Sequence, residues 1–509
     1  MPIDHISHFA DDRGDAIAVV DDRPGADPRR FTWREFNATC NRLANGLLDL
    51  GITPGQHVAW WGQNSMETLA TIHGSRKAGV TSVPIPYRST PDEAHYLLAN
   101  AGVVALVVDA PYAEVAARAA ANVESLEHVI VYGGEAHQGQ RAWADIEGAA
   151  STPPTEGTVD DTRLMIYTSG TTGQPKGAVR TTSGAVGVVP PLMSHLGWDT
   201  MERLWFLTTG PLYHSGPSGF ALRAQSLGGT VVTQHSFDPE DWLRLVETHQ
   251  VTATFSAPTP VRRICALPEE VKARYDVSSL ASTIANAAPW TMTLKEAYLR
   301  DFREDSLWEV YGSTELSVVT ALAPADQRRK PGSCGQAAPG VEVKLFDDDG
   351  VEVTEPGVPG ELFARSPALF ETYHNAHDRY LEDHRDGFQT VGDIAYRDDE
   401  DYFYICDRKK DMIITGGVNV YPAEVENALD AHPGVAEVAV IGVPDEDWGE
   451  AVCAVVVAAG DLDIDQLTRF AADRLSGPKR PKRVVVVDEL PKTGTGKVLK
   501  RDLRTQILR

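Results

Sequence analysis

The segment IYTSGTTGQPKG, residues 166–177, decides how this sequence folds. Its β-branched and aromatic start predicts a strand, which ends at a loop of hydroxyl residues, glycines and Lys176. Glycines let backbone N–H groups approach an anion closely, hydroxyls donate further hydrogen bonds, and the lysine adds a mobile positive charge. The nucleoside-triphosphatase pattern GxxxxGK[ST] is absent. We therefore interpret the segment as a phosphate-binding loop of another class, in preference to an ordinary Gly/Ser/Thr surface turn.

The sequence before this loop alternates between helical and strand periodicity. Between Phe31 and Asp109, helix-period stretches such as residues 34–50 alternate with strand-like runs such as HVAWWG, TSVPIP and VVALVVD. This alternation predicts a mostly parallel α/β sheet. The pattern changes at DRKKDMIITGGVNVYP, residues 407–422, and the C-terminal residues beyond this segment indicate a small α+β unit. A chain of 509 residues is longer than a single hydrophobic core usually organises. We therefore predict an α/β fold of two domains, residues 1–409 and 410–509.

Composition excludes several classes of partner. The formal charge of −25 disfavours nucleic acid and anionic lipid as main partners, so a polyphosphate ligand needs local positive groups. No apolar run is long enough to span a membrane, and the N-terminus lacks the pattern of a secretory signal. The five cysteines form no CxxC pair, which favours scattered thiols over disulfides or zinc. We expect a cytoplasmic protein without stable membrane insertion.

Further motifs follow the loop in a fixed order: PLYHSGPSG (211–219), NAAP (286–289), YGSTE (311–315), VGD (391–393), DRKKD (407–411), GGVNVYPAEVE (416–426) and PKTGTGK (491–497). With this set, the sequence resembles the adenylate-forming superfamily of acyl-CoA synthetases, firefly-type luciferases and peptide-synthetase adenylation domains. The resemblance implies a large multi-layer α/β N-terminal domain and a smaller, mobile α+β C-terminal domain. It also implies that ATP activates a carboxylic acid as an acyl-adenylate, with Mg²⁺ as cofactor and coenzyme A as the acceptor.

The resemblance assigns a role to each motif. Thr168 and Glu315 hold the magnesium region, Thr314 donates to the α-phosphate, and Lys497 stabilises charge in the adenylation step, with Lys492 and Lys500 as less favoured neighbours. The remaining phosphate-loop candidates are Ser169, Gly170, Thr171, Thr172, Gly173 and Lys176. The resemblance places the adenine slot between the aromatic ring of Tyr311 and the NAAP residues Asn286, Ala287, Ala288 and Pro289, and it adds Gly312 and Ser313 as further candidates for binding the cofactor. Asp393 accepts the ribose hydroxyls, and Arg408 is expected beside the ribose.

The resemblance also implies a hinge and a site for coenzyme A. Lys410 matches the hinge, where the small domain pivots between an adenylating and a thioester-forming orientation. In the second orientation Gly416 and Gly417 leave room for the pantetheine arm. Trp448 and Arg480 are candidates for binding the nucleotide end of coenzyme A. The alternative is that Trp448 is a core residue and Arg480 an ordinary surface arginine.

The resemblance places the acyl pocket around His214, Tyr213, Ser218, Asn286 and Ser313. His214 is also one of the catalytic candidates. PLYHSGPSG contains no acid to pair with an ammonium, which favours a neutral-tailed fatty or aryl acid over an α-amino acid. Asn286 replaces the usual glycine, which favours a compact substrate. Two alternatives stay open: a stand-alone adenylation enzyme that loads a carrier protein or another nucleophile, and a non-catalytic nucleotide-binding relative.

Overall fold

The structure, a computed structural model, describes residues 4–154, 163–168, 174–181, 189–492 and 498–508. Within these ranges none of the helices has both the length and the apolar character that a bilayer crossing requires. The predicted class is confirmed: a large α/β N-terminal domain is followed by a smaller C-terminal domain. The exact boundary at residue 409 stays a prediction.

The strands of the large domain in the described ranges are β1 Ile17–Asp21, β2 Arg29–Thr32, β3 His57–Trp61, β4 Thr81–Ile85, β5 Val103–Asp109, β6 His128–Tyr132, β7 Arg141–Ala142, β8 Arg163–Thr168, β9 Lys176–Thr181, β10 Trp205–Thr208, β11 Thr230–Thr233, β12 Ala253–Ser256, β13 Ser282–Ala285, β14 Leu307–Ser313, β15 Ser317–Leu322, β16 Gln336–Ala337, β17 Glu342–Phe346, β18 Gly360–Arg365, β19 Thr372–Tyr373, β20 His384–Arg385, β21 Phe388–Arg397 and β22 Phe403–Arg408.

Its α-helices are α1 His5–Asp12, α2 Trp33–Asp49, α3 Met66–Lys77, α4 Pro91–Asn100, α5 Ala113–Ala120, α6 Trp143–Glu147, α7 Val189–His195, α8 Ser215–Ser226, α9 Pro239–His249, α10 Pro258–Cys265, α11 Glu269–Lys272, α12 Met292–Asp301 and α13 His377–Glu382. The small domain contains β23 Ile413–Thr415, β24 Val418–Val420, α14 Pro422–Asp430, β25 Val435–Asp445, β26 Gly449–Ala458, α15 Ile464–Ala472, β27 Arg483–Val487 and α16 Lys500–Ile507.

Two large sheets build the N-terminal domain. One has the order β16-β15-β14-β13-β12-β10-β11-β1-β2 and is parallel from β1 through β11, β10, β12 and β13 to β14. The other has the order β19-β9-β8-β4-β3-β5-β6-β7. Ligands of open α/β sheets bind beyond the carboxyl ends of parallel strands. The motif residues Asn286 and Tyr311 lie at such ends, just after β13 and in the last part of β14.

Burial of one apolar face explains the helices that cover these sheets. Helix α2 begins at a capping box, in which the backbone N–H of Thr32 donates to the Glu35 carboxylate (2.8 Å) and that of Glu35 to the Thr32 hydroxyl (3.2 Å). Its buried face includes Trp33, Phe36 and Leu47, which pack in the main core. Such a cap contributes about 1 kcal/mol, so most of the stability of the helix comes from burying its apolar face.

A smaller antiparallel sheet joins the two domains. Strands β17, β18, β21 and β20 follow in that order, and β22 pairs with β21. The register sets Asp393 on β21 opposite Arg408 at the end of β22. Shortly beyond Arg408, β23 opens the small domain, whose β24-β23-β26-β25 sheet carries β27 on β26. The pairing of β21 with β22 therefore holds Asp393, the ribose candidate, close to the junction of the two domains.

Candidate active site

A carboxylate from the turn between β14 and β15 meets a hydroxyl at the end of β8. Thr168, the last residue of β8, donates to Glu315 Oε1 at 3.1 Å. Tyr373 on β19 donates its hydroxyl to the same oxygen at 3.0 Å. Glu315 is only 8% exposed, so these two donors provide the hydrogen bonds that water cannot easily supply to the buried carboxylate. Burial and the neighbouring Glu315 raise the pKa of the Tyr373 phenol, which keeps it a donor.

Lys176 stands beside this group at the start of β9. Its Nζ lies 5.5 Å from the centre of the Tyr373 ring. Burial, followed by repulsion from Arg379, lowers its pKa below the usual lysine value. The other predicted members of the loop and the predicted adenylation lysine lie outside the described residues: Ser169, Gly170, Thr171, Thr172, Gly173 and Lys497.

The ribose candidate Asp393 is held by two side chains. Tyr311 donates its hydroxyl to Oδ2 at 2.6 Å, and Arg408 Nε lies 3.2 Å from Oδ1. Burial raises the pKa of Tyr311 well above its ordinary value, and the nearby Asp393 raises it further. An ionised carboxylate has about four acceptor sites, so Asp393 retains capacity for ribose hydroxyls. Tyr311 was expected to offer only its ring; its hydroxyl contact is an additional finding.

The NAAP turn is fixed by the side chain of its asparagine. Asn286 Nδ2 donates to the carbonyl of Val310 at 2.5 Å, and Asn286 Oδ1 accepts from the N–H of Ala287. Ala287 has φ +73°, a conformation uncommon for a residue other than glycine. Ala288 is half-buried and Pro289 is exposed. The Asn286 side chain therefore ties this turn to β14.

The YGSTE turn needs a glycine because two backbones approach closely. A Cβ on Gly312 would lie 1.9 Å from the carbonyl oxygen of Ser317. The Ser313 hydroxyl accepts from the N–H of Leu316 at 3.0 Å, so it stabilises the turn itself. These contacts fix the positions of Tyr311 and Glu315 at the two ends of one short segment.

Thr314 and His214 lie where α8 begins. The hydroxyls of Thr314 and Ser215 are 2.8 Å apart, and Arg180 donates to the carbonyl of Thr314 at 2.6 Å. Burial lowers the pKa of His214 to about 4, so the ring is neutral at pH 7. Its Nε2 is buried without a hydrogen-bond partner in the described part of the chain. A neutral imidazole with a free nitrogen suits a hydrogen bond to a ligand.

The other two acyl-pocket candidates are buried. Ser218 donates its hydroxyl to the His214 carbonyl at 2.8 Å and is 2% exposed. Tyr213 packs its ring edge-on against Tyr87, with 5.5 Å between ring centres. Both side chains therefore support the position of His214 in this structure.

The small-domain candidates divide into three groups. Gly416 has φ +57°, and a Cβ there would lie 2.5 Å from the Trp448 ring; Gly417, with φ +78°, is open. Trp448 is 49% exposed, and Lys482 Nζ lies 3.5 Å from its ring centre. Arg480 donates to the carbonyls of Leu475 and Ala472 at 2.9 and 2.8 Å, at the end of α15. The Arg480 guanidinium is thus already hydrogen-bonded to backbone carbonyls, and its binding to coenzyme A stays a prediction.

The lysines around the junction also differ in environment. Lys410 is an exposed residue, and partial burial of its ammonium, followed by repulsion from Arg408, lowers its pKa. Lys492 bonds both oxygens of Glu437 at 2.5 and 2.6 Å. Lys500 lies 3.0 Å from Glu426 and 3.2 Å from Asp407. The two less favoured candidates for the adenylation lysine are therefore neutralised by the small domain and its junction.

Three contributors to this site were not predicted: Tyr373, Ser215 and Arg180. Ser215 is adjacent to His214 in the motif, and that adjacency was an available signal. Arg180 follows the phosphate loop as an isolated charge within a strand pattern, which is unusual for a buried strand. Tyr373 lies 58 residues beyond Glu315 in a short strand, and no local pattern indicates it.

Comparison with known proteins identifies the family of this chain. The family model "AMP-binding enzyme" matches residues 6–374, and "AMP-binding enzyme C-terminal domain" matches residues 424–497. The feruloyl-CoA synthase of Amycolatopsis sp is 37% identical over 93% of each chain. The long-chain-fatty-acid–CoA ligase FadD13 of Mycobacterium tuberculosis is 34% identical over 94% of this chain and 93% of its own.

A solved structure extends the comparison to a bound intermediate. The anthranilate CoA ligase AuaEII in complex with anthranoyl-AMP superposes with a TM-score of 0.89 at 26% identity, covering 99% of this chain and 96% of the other. The chain therefore belongs to the AMP-binding enzyme family, within the adenylate-forming superfamily that also contains the acyl- and aryl-CoA ligases.

Proposed function

We propose that this protein is an AMP-forming acid–thiol ligase: it activates a carboxylic acid with ATP as an acyl-adenylate and transfers the acyl group to coenzyme A. The observation that carries the proposal is the YGSTE segment. Tyr311 at one end bonds the ribose candidate Asp393, and Glu315 at the other end bonds Thr168 beside the phosphate loop. One rigid segment thus spans from the sugar region to the phosphate region of a nucleotide.

The residues present fit magnesium bound to a substrate phosphate. Among the described residues, no cluster of three or more histidine, cysteine or acidic side chains could form an all-protein metal cage. Magnesium in nucleotide sites takes one or two carboxylates and completes its shell with phosphate oxygens and water. Glu315, with the Thr168 hydroxyl beside it, supplies this limited set. When bound, the ion would neutralise charge on the phosphates.

The adenylation step needs two anions brought together. The acid carboxylate attacks the α-phosphorus of ATP, the bond to the bridging oxygen breaks, and pyrophosphate leaves. Thr314, whose carbonyl Arg180 fixes, donates its hydroxyl to the α-phosphate. Lys176 and Lys497 stabilise charge that develops on the transferred and leaving groups. Asp393 and Arg408 orient the ribose.

The thioester step follows from the same adenylate. The thiolate sulfur of coenzyme A attacks the acyl carbonyl, and AMP leaves with the electron pair of the broken mixed-anhydride bond. Lys410 is the proposed pivot that moves the small domain between the two steps. Gly417 then offers open space for the pantetheine arm, and Trp448 offers an exposed aromatic face for its nucleotide end.

The acid is aliphatic or aromatic and has no ammonium group. Residues 211–219 contain no carboxylate, and an ammonium buried without one would be costly. The ring of His214 is neutral, and the Asn286 side chain, which is bonded to Val310, stands where the family usually has a glycine. A compact acid fits this description.

The test is pyrophosphate release with ATP and Mg²⁺ over a panel of fatty, cyclic and aromatic acids, with and without coenzyme A. Acid-dependent release that turns over many times only with coenzyme A, and yields an acyl-CoA, supports the proposal. Lys497→Ala is the control and should lower release on the order of 10²-fold. Release that stays stoichiometric with coenzyme A present would instead favour a carrier protein or another nucleophile as the acceptor.

A further inference from the structure

One arginine on α8 has no role in the proposed reaction. Ser215, Gly219 and Arg223 succeed each other at intervals of four residues, so they share one face of the helix. All three are half-buried, whereas Phe220 and Ala224 of the same helix are buried in the core. A Cβ on Gly219 would lie 2.7 Å from Arg223 Nη1. The guanidinium therefore folds back along the helix toward Ser215 and lies beside the bare backbone of Gly219.

The guanidinium of Arg223 is matched by no counter-charge among the residues that the structure describes. Arg223 Nε is buried and has no hydrogen-bond partner among the described residues. Burial, with repulsion from Arg180 added, lowers the pKa of Arg223 to about 10. Burial also lowers the pKa of Arg180 to about 10, although Glu315 offsets part of the effect. Buried charges are normally paired because an isolated one is costly, so two neighbouring guanidinium groups indicate a place for an anion.

The guanidinium of Arg223 lies near the proposed reaction centre. Ser215 contacts Thr314, the residue proposed to bind the α-phosphate, at 2.8 Å. Gly219, beside which the guanidinium lies, is one helical turn further along, or roughly 6 Å at 1.5 Å per residue. A compact acid whose carboxylate reacts next to Thr314 would thus reach Arg223 with its other end.

The side chains packed beside Arg223 are aromatic. Arg223 Cζ lies 5.2 Å from the centre of the Phe220 ring, and Phe220 stacks on Phe255 at 5.5 Å. A Cβ on Gly216 would lie 2.4 Å from the Phe255 ring, so little space is left there. An acid that reaches Arg223 would therefore end at a cation that is backed by aromatic core residues.

We propose that Arg223 binds a second anionic group on the acid substrate, and that the preferred substrate is a compact dicarboxylic acid. This inference rests on the proposed function and replaces the expected neutral tail; the absence of an ammonium stays. The planar guanidinium suits a carboxylate because it can donate two parallel hydrogen bonds. Arg180 is a positioning residue here, because its Nη atoms already donate to the carbonyls of Thr314 and Ala368.

The test compares matched acids on matched variants. Initial rates of pyrophosphate release are measured with succinate, glutarate, adipate and terephthalate, and with the acids in which a methyl group replaces the second carboxylate. The enzymes are the wild type, Arg223→Gln and the control Arg76→Gln. Arg76, on α3, is another arginine whose Nε is buried without a partner in the described ranges, and it lies outside the set of candidate site residues.

The expected result is a selective loss. The wild type should favour at least one dicarboxylic acid over its methyl analogue by about 10²-fold in kcat/KM. Arg223→Gln should lose roughly that factor for the dicarboxylic acid and stay within about threefold for the analogue. Arg76→Gln should change neither ratio.

Three results would overturn the inference. Equal kcat/KM for both series in the wild type, or an equal loss for both in Arg223→Gln, would give Arg223 a structural role only and leave the proposed function standing. No release with any acid, with or without coenzyme A, would remove both proposals together. If Arg223→Gln does not fold, calorimetry on the wild type decides: an equal Kd for the dicarboxylic acid with the highest kcat/KM and for its methyl analogue contradicts the inference, and tighter binding of the dicarboxylic acid supports it.

Discussion

Removing the Tyr373 hydroxyl tests how the carboxylate of Glu315 is held. In Tyr373→Phe, Glu315 Oε1 keeps the Thr168 donor at 3.1 Å and loses the phenol at 3.0 Å. Both Tyr373 and Glu315 are buried, so water does not easily replace the lost donor. A hydrogen bond to a charged group contributes about 1.5–3 kcal/mol. At about 1.4 kcal/mol per factor of ten, kcat/KM for ATP should fall by roughly 10- to 100-fold.

The assay is acid-dependent pyrophosphate release at a series of Mg²⁺ concentrations. If Glu315 orients the metal-bound phosphates, the variant should need more Mg²⁺ for half-maximal rate, and added Mg²⁺ should recover part of the loss. Tyr380→Phe is the matched control, because Tyr380 packs on Phe370 in the same aromatic cluster at 5.3 Å and lies in α13 rather than against Glu315. An unchanged Mg²⁺ dependence in Tyr373→Phe would refute the reasoning.

Three further changes test other parts of the site. Asp393→Asn replaces the charged ribose acceptor and should raise KM for ATP about 10- to 100-fold; an unchanged KM in steady-state kinetics would remove Asp393 from the ribose site. Lys410→Pro should leave adenylate formation within about threefold and lower thioester formation roughly 10²-fold, with Lys410→Ala as control; equal losses in both half-reactions contradict the hinge. Burial lowers the pKa of His73 and His214 from 6.5 to about 4, so the unfolded chain takes up protons first as the pH falls below 6.5. The free energy of unfolding from urea titrations should therefore decrease between pH 6.5 and 4, and less so in His73→Asn.

Local patterns predicted the architecture because each element carries its own signal. The alternation of helix and strand before Asp109 appears in the structure as β3, β4 and β5 with their helices. The change of pattern at residues 407–422 corresponds to the start of the small domain, whose β25, β26, α15 and β27 belong to the small α+β unit that the sequence indicates. These elements are decided by periodicity over a few residues, which sequence reasoning measures directly.

The motif residues meet as the resemblance implies, but their supporting contacts are long-range. Thr168 contacts Glu315 across 147 positions, and only the family resemblance implied this pairing. Tyr373 lies in none of the motifs. The resemblance gave a role to the ring of Tyr311 and none to its hydroxyl. Arg223 lies in the last part of α8. A single charged residue in a helical pattern normally indicates a solvent-exposed face of the helix. Only the fold shows that this face is half-buried.

The Asp393 arrangement has a thermodynamic consequence for the enzyme before nucleotide binds. Pairing of β21 with β22 places Asp393 opposite Arg408, and the Tyr311 hydroxyl completes the group. The carboxylate is thus oriented and hydrogen-bonded by the protein before any nucleotide arrives. Such preorganisation moves the entropic cost of assembling the sugar site from binding to folding. We therefore expect AMP and ATP to enter a rigid ribose subsite, so that differences in affinity between nucleotides arise at the phosphate end.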